Sequence, residues 1–165
     1  MKLLIPGGAG YIGSHMVRYA QEHGHEVVVL DDFSTGHEWA IKDCEILQVD
    51  LLDQDKLAQL LKGRSFDGVI HFAGLKAVGE SVEKPIEYYN TNVGGTFILA
   101  EVMHDFGCKT FVFSSSATVY GDSPKVPIKE NCLLYAANPY GRSKVIIENF
   151  LQDLFISDKS WRIAI

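Results

Sequence analysis

With 165 residues, 47% of them hydrophobic, the chain has enough apolar side chains for the core of one ordinary domain, and its composition is neither disordered nor fibrous. A net charge of −6 and a pI near 5.4, with Lys and Arg scattered, exclude the basic surface that a nucleic-acid partner needs. No apolar run is long enough to span a bilayer, and the run before Pro6 is too short for a secretory leader; Cys44, Cys108 and Cys132 are widely spaced and lack any CxxC pair, and the six histidines show no ligand spacing. A cytoplasmic protein with reduced cysteines, no metal and no membrane contact is expected.

Along the chain, short apolar runs rich in β-branched residues stand at 3–5, 27–30, 46–49, 68–72, 110–113 and 162–165, and longer helical stretches at 12–22, 54–61, 85–105 and 139–155. Near-continuous apolar strands belong in a sheet covered on both faces, and regular alternation with helices implies right-handed βαβ crossovers. The expected fold is α/β, a Rossmann-like doubly wound parallel sheet in three layers. His23 and His25 flank Gly24, which reads as a surface turn. The run at 162–165 reads as a sixth strand with nothing after it, so a longer protein is expected, the alternative being a small complete domain with an edge strand.

The first strand is followed at once by Gly7-Gly8-Ala9-Gly10-Tyr11-Ile12-Gly13, which satisfies both GxxGxxG and GxGxxG and opens the first helix. Glycine lets backbone N–H groups approach a pyrophosphate, whose charge a helix N-terminus favours, and a third glycine lets helix and strand pack closely. Asp31 closes the second strand, where a carboxylate accepts hydrogen bonds from the adenosine ribose and repels a 2′-phosphate. Asp32 stands beside it and no Arg follows, so NAD is favoured over NADP. Asp50, after the third strand, is placed either for the adenine edge or for a helix N-terminus.

Tyr140 and Lys144 lie four residues apart behind Asn138-Pro139, which suits a helix start. They share a helix face, so the ammonium favours the phenolate and suits Tyr140 to act as a base. The spacing is common by itself, but the hydroxyl-rich run Ser114 to Gly121 leaves the fifth strand at its carboxyl end, where open α/β sheets bind ligands. Glycine turn, acidic strand end, strand-end serine and Tyr-x-x-x-Lys occur in the order a hydride-transfer site needs.

On these motifs, and on His71-Phe72-Ala73-Gly74-Leu75-Lys76-Ala77-Val78-Gly79-Glu80-Ser81, the chain resembles the extended short-chain dehydrogenase/reductase family, and within it the N-terminal half of the enzymes that epimerise UDP-hexoses at C4. The resemblance implies NAD held by Gly7, Gly10, Tyr11, Ile12 and Gly13 at the pyrophosphate, by Asp31, Asp32, Phe33, Ser34, Thr35 and Gly36 at the adenosine ribose, and by Asp50 and Leu51 at the adenine. Phe72, Ala73, Gly74 and Lys76 line the cofactor further along. Ser116, Tyr140 and Lys144 form the implied catalytic set, Lys144 also holding the nicotinamide ribose, and Lys76, Ser116, Ala117, Thr118 and Tyr140 face the sugar. Two departures stand out: Pro6 replaces a usual Thr, and Thr91 stands where an Asn often contacts the cofactor, leaving Asn92 as the nearest substitute. Ala117 and Thr118 occupy the positions where related dehydratases carry an Asp-Glu pair, so no acid is present there to eliminate water. The implied reaction interconverts UDP-glucose and UDP-galactose through transient oxidation to a 4-keto sugar, in a homodimer formed through 85–105 and 139–155. The alternatives are a related nucleotide-sugar epimerase, such as one acting on UDP-N-acetylhexosamines, and, for these 165 residues alone, an NAD-binding module without turnover.

Overall fold

The computed structural model describes residues 1–122 and 126–165. Six strands, β1 (Lys2–Pro6), β2 (Glu26–Asp31), β3 (Glu45–Gln48), β4 (Gly68–His71), β5 (Thr110–Phe113) and β6 (Arg162–Ala164), form one sheet in the order β3-β2-β1-β4-β5-β6. Every pairing is parallel. The helices are α1 (Tyr11–Glu22), α2 (Gln54–Leu61), α3 (Val78–Glu83), α4 (Pro85–Tyr88), α5 (Gly95–Asp105) and α6 (Pro139–Ser157).

Alternation along the central strands sorts the core into two layers. Leu4, Val28, Leu30, Val69 and Phe111 face Leu57 and Leu61 of α2, Leu99 and Met103 of α5, and Ile147 and Leu151 of α6. Leu3, Ile5, Val27 and Val29 face the opposite way, onto Val17 and Ala20 of α1. With both faces apolar, β1 and β2 read as unbroken hydrophobic runs, and truncating a side chain such as Phe111, fully buried here, costs about 3–5 kcal/mol.

Strand order reverses between β1 and β4. The chain leaves β1 toward β2 and leaves β4 toward β5, so the two carboxyl ends diverge and open a crevice. Pro6 sits at this edge. Without an N–H it closes β1 where pairing with β4 has already ended at Leu4–Val69, while its carbonyl accepts hydrogen bonds from Phe72 N (2.8 Å) and Ala73 N (3.0 Å). The substitution for Thr therefore leaves the junction between the two strand ends intact.

Two features differ from the sequence reading. The stretch read as one helix over 85–105 is broken by a π-helical segment, Tyr89–Gly94, and α3 precedes it. Gly94 and Gly95 are weak helix formers placed where the loop after β3 approaches, Gly95 so near that an added Cβ would lie 3.2 Å from Leu51 Cβ. α3 spans only six residues and contains Gly79, too short for apolar periodicity to register. The turn read at His23 to His25 is present, with Gly24 at φ +76°.

Candidate active site

The glycine turn and the loop after β4 meet at the crevice. Gly7 takes φ +77°, and a Cβ there would lie 2.3 Å from Ala73 N; a Cβ on Gly13 would lie 2.1 Å from Gly7 O. These two glycines are required by the protein's own packing. Gly10 is different: it has an ordinary φ of −75°, and a Cβ there would meet only Gly7 O, at 3.3 Å. As the α1 N-cap it offers no side-chain oxygen, so the first-turn N–H groups of Tyr11 and Ile12 are left for an outside acceptor. Open space over uncapped donors at a helix N-terminus fits a pyrophosphate.

Asp31 ties this turn to β2. It is 9% exposed; Oδ2 accepts from Ala9 N and Oδ1 from Phe33 N, each at 2.9 Å, and Gly36 packs against it. Each oxygen retains a lone pair for a ribose hydroxyl. Asp32 is exposed and accepts from the Ser34 backbone and hydroxyl at 2.9 and 2.7 Å, which shapes the loop through Ser34 and Thr35. Asp50 accepts from Leu52 N at 2.9 Å, while the helix-capping carboxylate of α2 is Asp53.

At the other side of the crevice, Asn138 caps α6 by accepting from Gly141 N at 2.8 Å, with Pro139 at the first helical position. Gly141 lets α6 press onto the 3₁₀ turn Ala117–Tyr120, since a Cβ there would lie 2.8 Å from Thr118 O. That approach brings Tyr140 to the turn that Ser116 caps. Ser116 Oγ accepts from Thr118 N (3.2 Å) and Thr118 Oγ1 (2.9 Å), which leaves its own proton free to donate. Lys144 is 6% exposed, donates to Ser114 O at 3.0 Å, and lies 4.6 Å from the Phe113 ring centroid and 5.8 Å from that of Tyr140. Burial pushes its ammonium down from the usual lysine range to about 8, against the opposing influence of Glu148.

Asn92, expected as a substitute cofactor contact, is engaged within the protein. It is 2% exposed; Oδ1 accepts from Leu75 N (2.8 Å), and Nδ2 donates to Leu75 O (3.0 Å) and Ser143 Oγ (3.1 Å). Both amide protons are spent, so the side chain clamps the loop carrying Gly74 and Lys76 onto α6. Gly74 sits directly beneath it at φ +146°, where a Cβ would lie 2.9 Å from Asn92 Oδ1. Lys76 is exposed at the mouth, and Phe72 and Ala73 are half-buried.

Two buried polar residues were not legible as site components. His71, 1% exposed, contacts Thr96 Oγ1 through Nε2 at 2.9 Å. Because the Thr96 hydroxyl donates to Asn92 O at 2.6 Å, it accepts from His71, which assigns the proton to Nε2 and leaves Nδ1 without a partner. Burial and the nearby Lys144 push His71 down to about 3. Glu148, 8% exposed on α6, accepts from the Ser115 hydroxyl. Its position one turn beyond Lys144 was the available signal. The described residues hold no cluster suited to a metal ion, no helix long and apolar enough to cross a membrane, and three free cysteines.

A parallel sheet in this order, with a glycine turn and an acidic strand end at its switch point, defines a Rossmann-type dinucleotide-binding fold. Residues 3–160 match the NAD dependent epimerase/dehydratase family, to which the chain belongs. UDP-glucose 4-epimerase 2 of Arabidopsis thaliana is 47% identical over 174 residues, covering 99% of this chain and 50% of that protein. The UDP-glucose 4-epimerase of Bifidobacterium longum, crystallised with NAD+ and UDP, superposes with a TM-score of 0.95 at 38% identity over 99% of this chain and 51% of its own. The UDP-Glc/GlcNAc 4-epimerase of Campylobacter jejuni gives a TM-score of 0.95 at 36% identity over 98% and 51%. The chain spans about half the length of the curated relatives it matches.

Proposed function

We propose that residues 1–165 are the NAD-binding domain of an enzyme that interconverts UDP-glucose and UDP-galactose at C4. The observation that carries this reading is the packing of α6, which bears Tyr140 and Lys144, onto the 3₁₀ turn that Ser116 caps at the exit of β5. In this reading Gly7, Gly10, Tyr11, Ile12 and Gly13 cradle the pyrophosphate, Asp31 through Gly36 the adenosine ribose, Asp50 and Leu51 the adenine, and Phe72, Ala73, Gly74 and Lys76 line the cofactor further along. Asn92 serves the site through Leu75 and Ser143.

The chemistry that bound NAD supplies is acceptance of the C4 hydride and its return to the opposite face of the 4-keto sugar, which inverts C4 and leaves the cofactor as it began. Tyr140 takes the proton of the 4-hydroxyl, directly or through Ser116, whose free proton and capped oxygen suit a relay. Lys144 holds positive charge against that phenolate and orients the nicotinamide ribose. On the return step Tyr140 gives the proton back. Ala117 and Thr118 border the sugar and supply no acid, which favours epimerisation over loss of water.

The half-length match supports a grip on the uridine and sugar outside these residues, so for residues 1–165 alone we expect NAD binding without epimerisation. The apolar side chains that α4, α5 and α6 leave exposed, Ile86, Phe97 and Ile146 among them, support a homodimer through those helices. The free cysteines support a cytoplasmic location. In the full-length enzyme, Tyr140→Phe is expected to abolish turnover of UDP-galactose while NAD stays bound; near-normal turnover sinks the assignment. The likeness to the Campylobacter enzyme supports UDP-N-acetylhexosamines as a second reading, which the ratio of kcat/KM for the two sugars decides.

A further inference from the structure

Tyr140, Lys144 and Glu148 stand at i, i+4 and i+8 of α6 and share one face of the helix. The second and third each reach the strand alongside. Lys144 Nζ donates to the carbonyl of Ser114, and Glu148 Oε1 accepts from the hydroxyl of Ser115. Two successive residues at the exit of β5 are thus fastened to two successive turns of α6, and Ser116 is the first residue beyond the fastening. We propose that Glu148 is a positioning residue for the reacting groups, acting through the Ser115 hydroxyl on the exit of β5 and through its charge on the Lys144 ammonium.

A buried carboxylate is costly, and a neutral side chain such as Gln would accept the Ser115 hydrogen bond as well. The charge therefore needs a reason of its own. No ion pair joins Glu148 to Lys144 among the described residues, so the coupling acts through space along the helix face. Burial drives Lys144 toward its neutral form, and Glu148 is the group that opposes this. Other groups facing the pair do not substitute for it. From β5 and its exit come the Phe113 ring and the Ser114 carbonyl; the nearest groups of the π segment and α5, Asn92 bonded to Ser143 and Thr96 bonded to His71, are uncharged. His71 on β4 is held down to about 3 and stays neutral, while the Tyr120 phenol on the 3₁₀ turn, which donates to the exposed Glu130, is pushed up by burial first and by the Glu130 and Glu148 carboxylates after it, and stays protonated. Glu148 supplies the negative charge on this side of Lys144.

That Lys144 belongs to the reacting set rests on the function proposed above; the coupling itself does not, and its test needs no turnover. In the full chain carrying ¹³Cε-labelled lysine, with the Lys144 resonance assigned by its loss in Lys144→Met, the titration midpoint of Lys144 is expected to fall by about one pH unit in Glu148→Gln. In Ser115→Ala, which removes the hydrogen bond and keeps the charge, it is expected to stay in place. If Glu148→Gln does not fold, Glu148→Asp, which draws the charge back by one methylene, is expected to give a smaller fall. An unchanged or raised midpoint in the Glu148 variant overturns the proposal. In the full-length enzyme the alkaline limb of the kcat/KM profile is expected to move down with the midpoint. If Tyr140→Phe keeps its turnover while Lys144 still shifts, the active-site reading fails and the coupling stands.

Discussion

Gly10→Ala and Gly13→Ala separate what the glycine turn does for the fold from what it does for a ligand. At Gly13 an added methyl carbon would stand 2.1 Å from Gly7 O and 2.9 Å from both Gly7 C and Gly8 Cα. All three are backbone atoms, so no rotamer change relieves the clash and α1 must move away from the turn. Overpacking costs about 1–3 kcal/mol, and a backbone overlap this close belongs at the upper end; the gain in helix propensity, about 1 kcal/mol, does not offset it. A net loss of about 2 kcal/mol lowers Tm by roughly 4–8 °C for a chain of this size. At Gly10 the backbone conformation suits any residue, and the only neighbour within 4 Å of the new carbon is Gly7 O at 3.3 Å. The loss of a good N-cap, about 0.5 kcal/mol, is largely cancelled by the reduced freedom of the unfolded chain. The Gly10→Ala methyl instead occupies the space over the first-turn N–H groups, so NAD affinity is expected to fall tenfold or more, about 1.4 kcal/mol or above. Urea denaturation and calorimetric NAD titration of the two full-length variants read the two quantities independently. If Gly13→Ala is as stable as the parent, or if Gly10→Ala loses stability rather than affinity, the division of labour is wrong.

Two further predictions concern buried polar groups. Lys144 falls from its ordinary 10.5 to about 8 in the folded chain, so between these values the unfolded chain binds the extra proton and stability rises with pH. The difference in unfolding free energy between the parent and Lys144→Met is therefore expected to shift by about 3 kcal/mol in favour of the parent from pH 8 to pH 10.5; denaturation at the two pH values checks it, and a flat difference refutes it. Asn92→Ala strands the N–H and carbonyl of Leu75 together with Ser143 Oγ, and is expected to cost about 2–4 kcal/mol and to speed amide exchange at Leu75, measured by hydrogen–deuterium exchange.

The parts of this molecule written in local pattern were legible. Strands with both faces buried announce themselves as apolar runs; Gly10, Gly13, Asn138 and Pro139 act within a few residues of where they stand, and Gly7 and Asp31, which reach Ala73 and Ala9, are marked by their place at a strand end. What escaped was non-local. The partners of Asn92 come from 17 residues upstream and 51 downstream, and Glu148 meets Ser115 across 33 residues. No spacing rule joins such positions, because only the crossover of α5 and α6 onto the sheet makes them neighbours. The π segment escaped for a related reason: Tyr89 to Gly94 looks helical by composition, and its break answers to the loop at Leu51 and Leu52 packing against Gly94 and Gly95.

These long-range contacts share a direction. Asn92 fastens the β4 loop to α6, Lys144 and Glu148 fasten the β5 exit to α6, and the Pro6 carbonyl fastens the β4 loop to β1. Each ties a strand end that lines the crevice to α6 or to the neighbouring strand end, beyond the last ladder pairs, Leu4–Val69 between β1 and β4 and His71–Phe113 between β4 and β5. Side-chain and carbonyl hydrogen bonds take over at the place where the sheet stops supplying them. A group carried on one strand end then keeps its distance from a group on another, and for hydride and proton transfer that distance is what the protein has to fix.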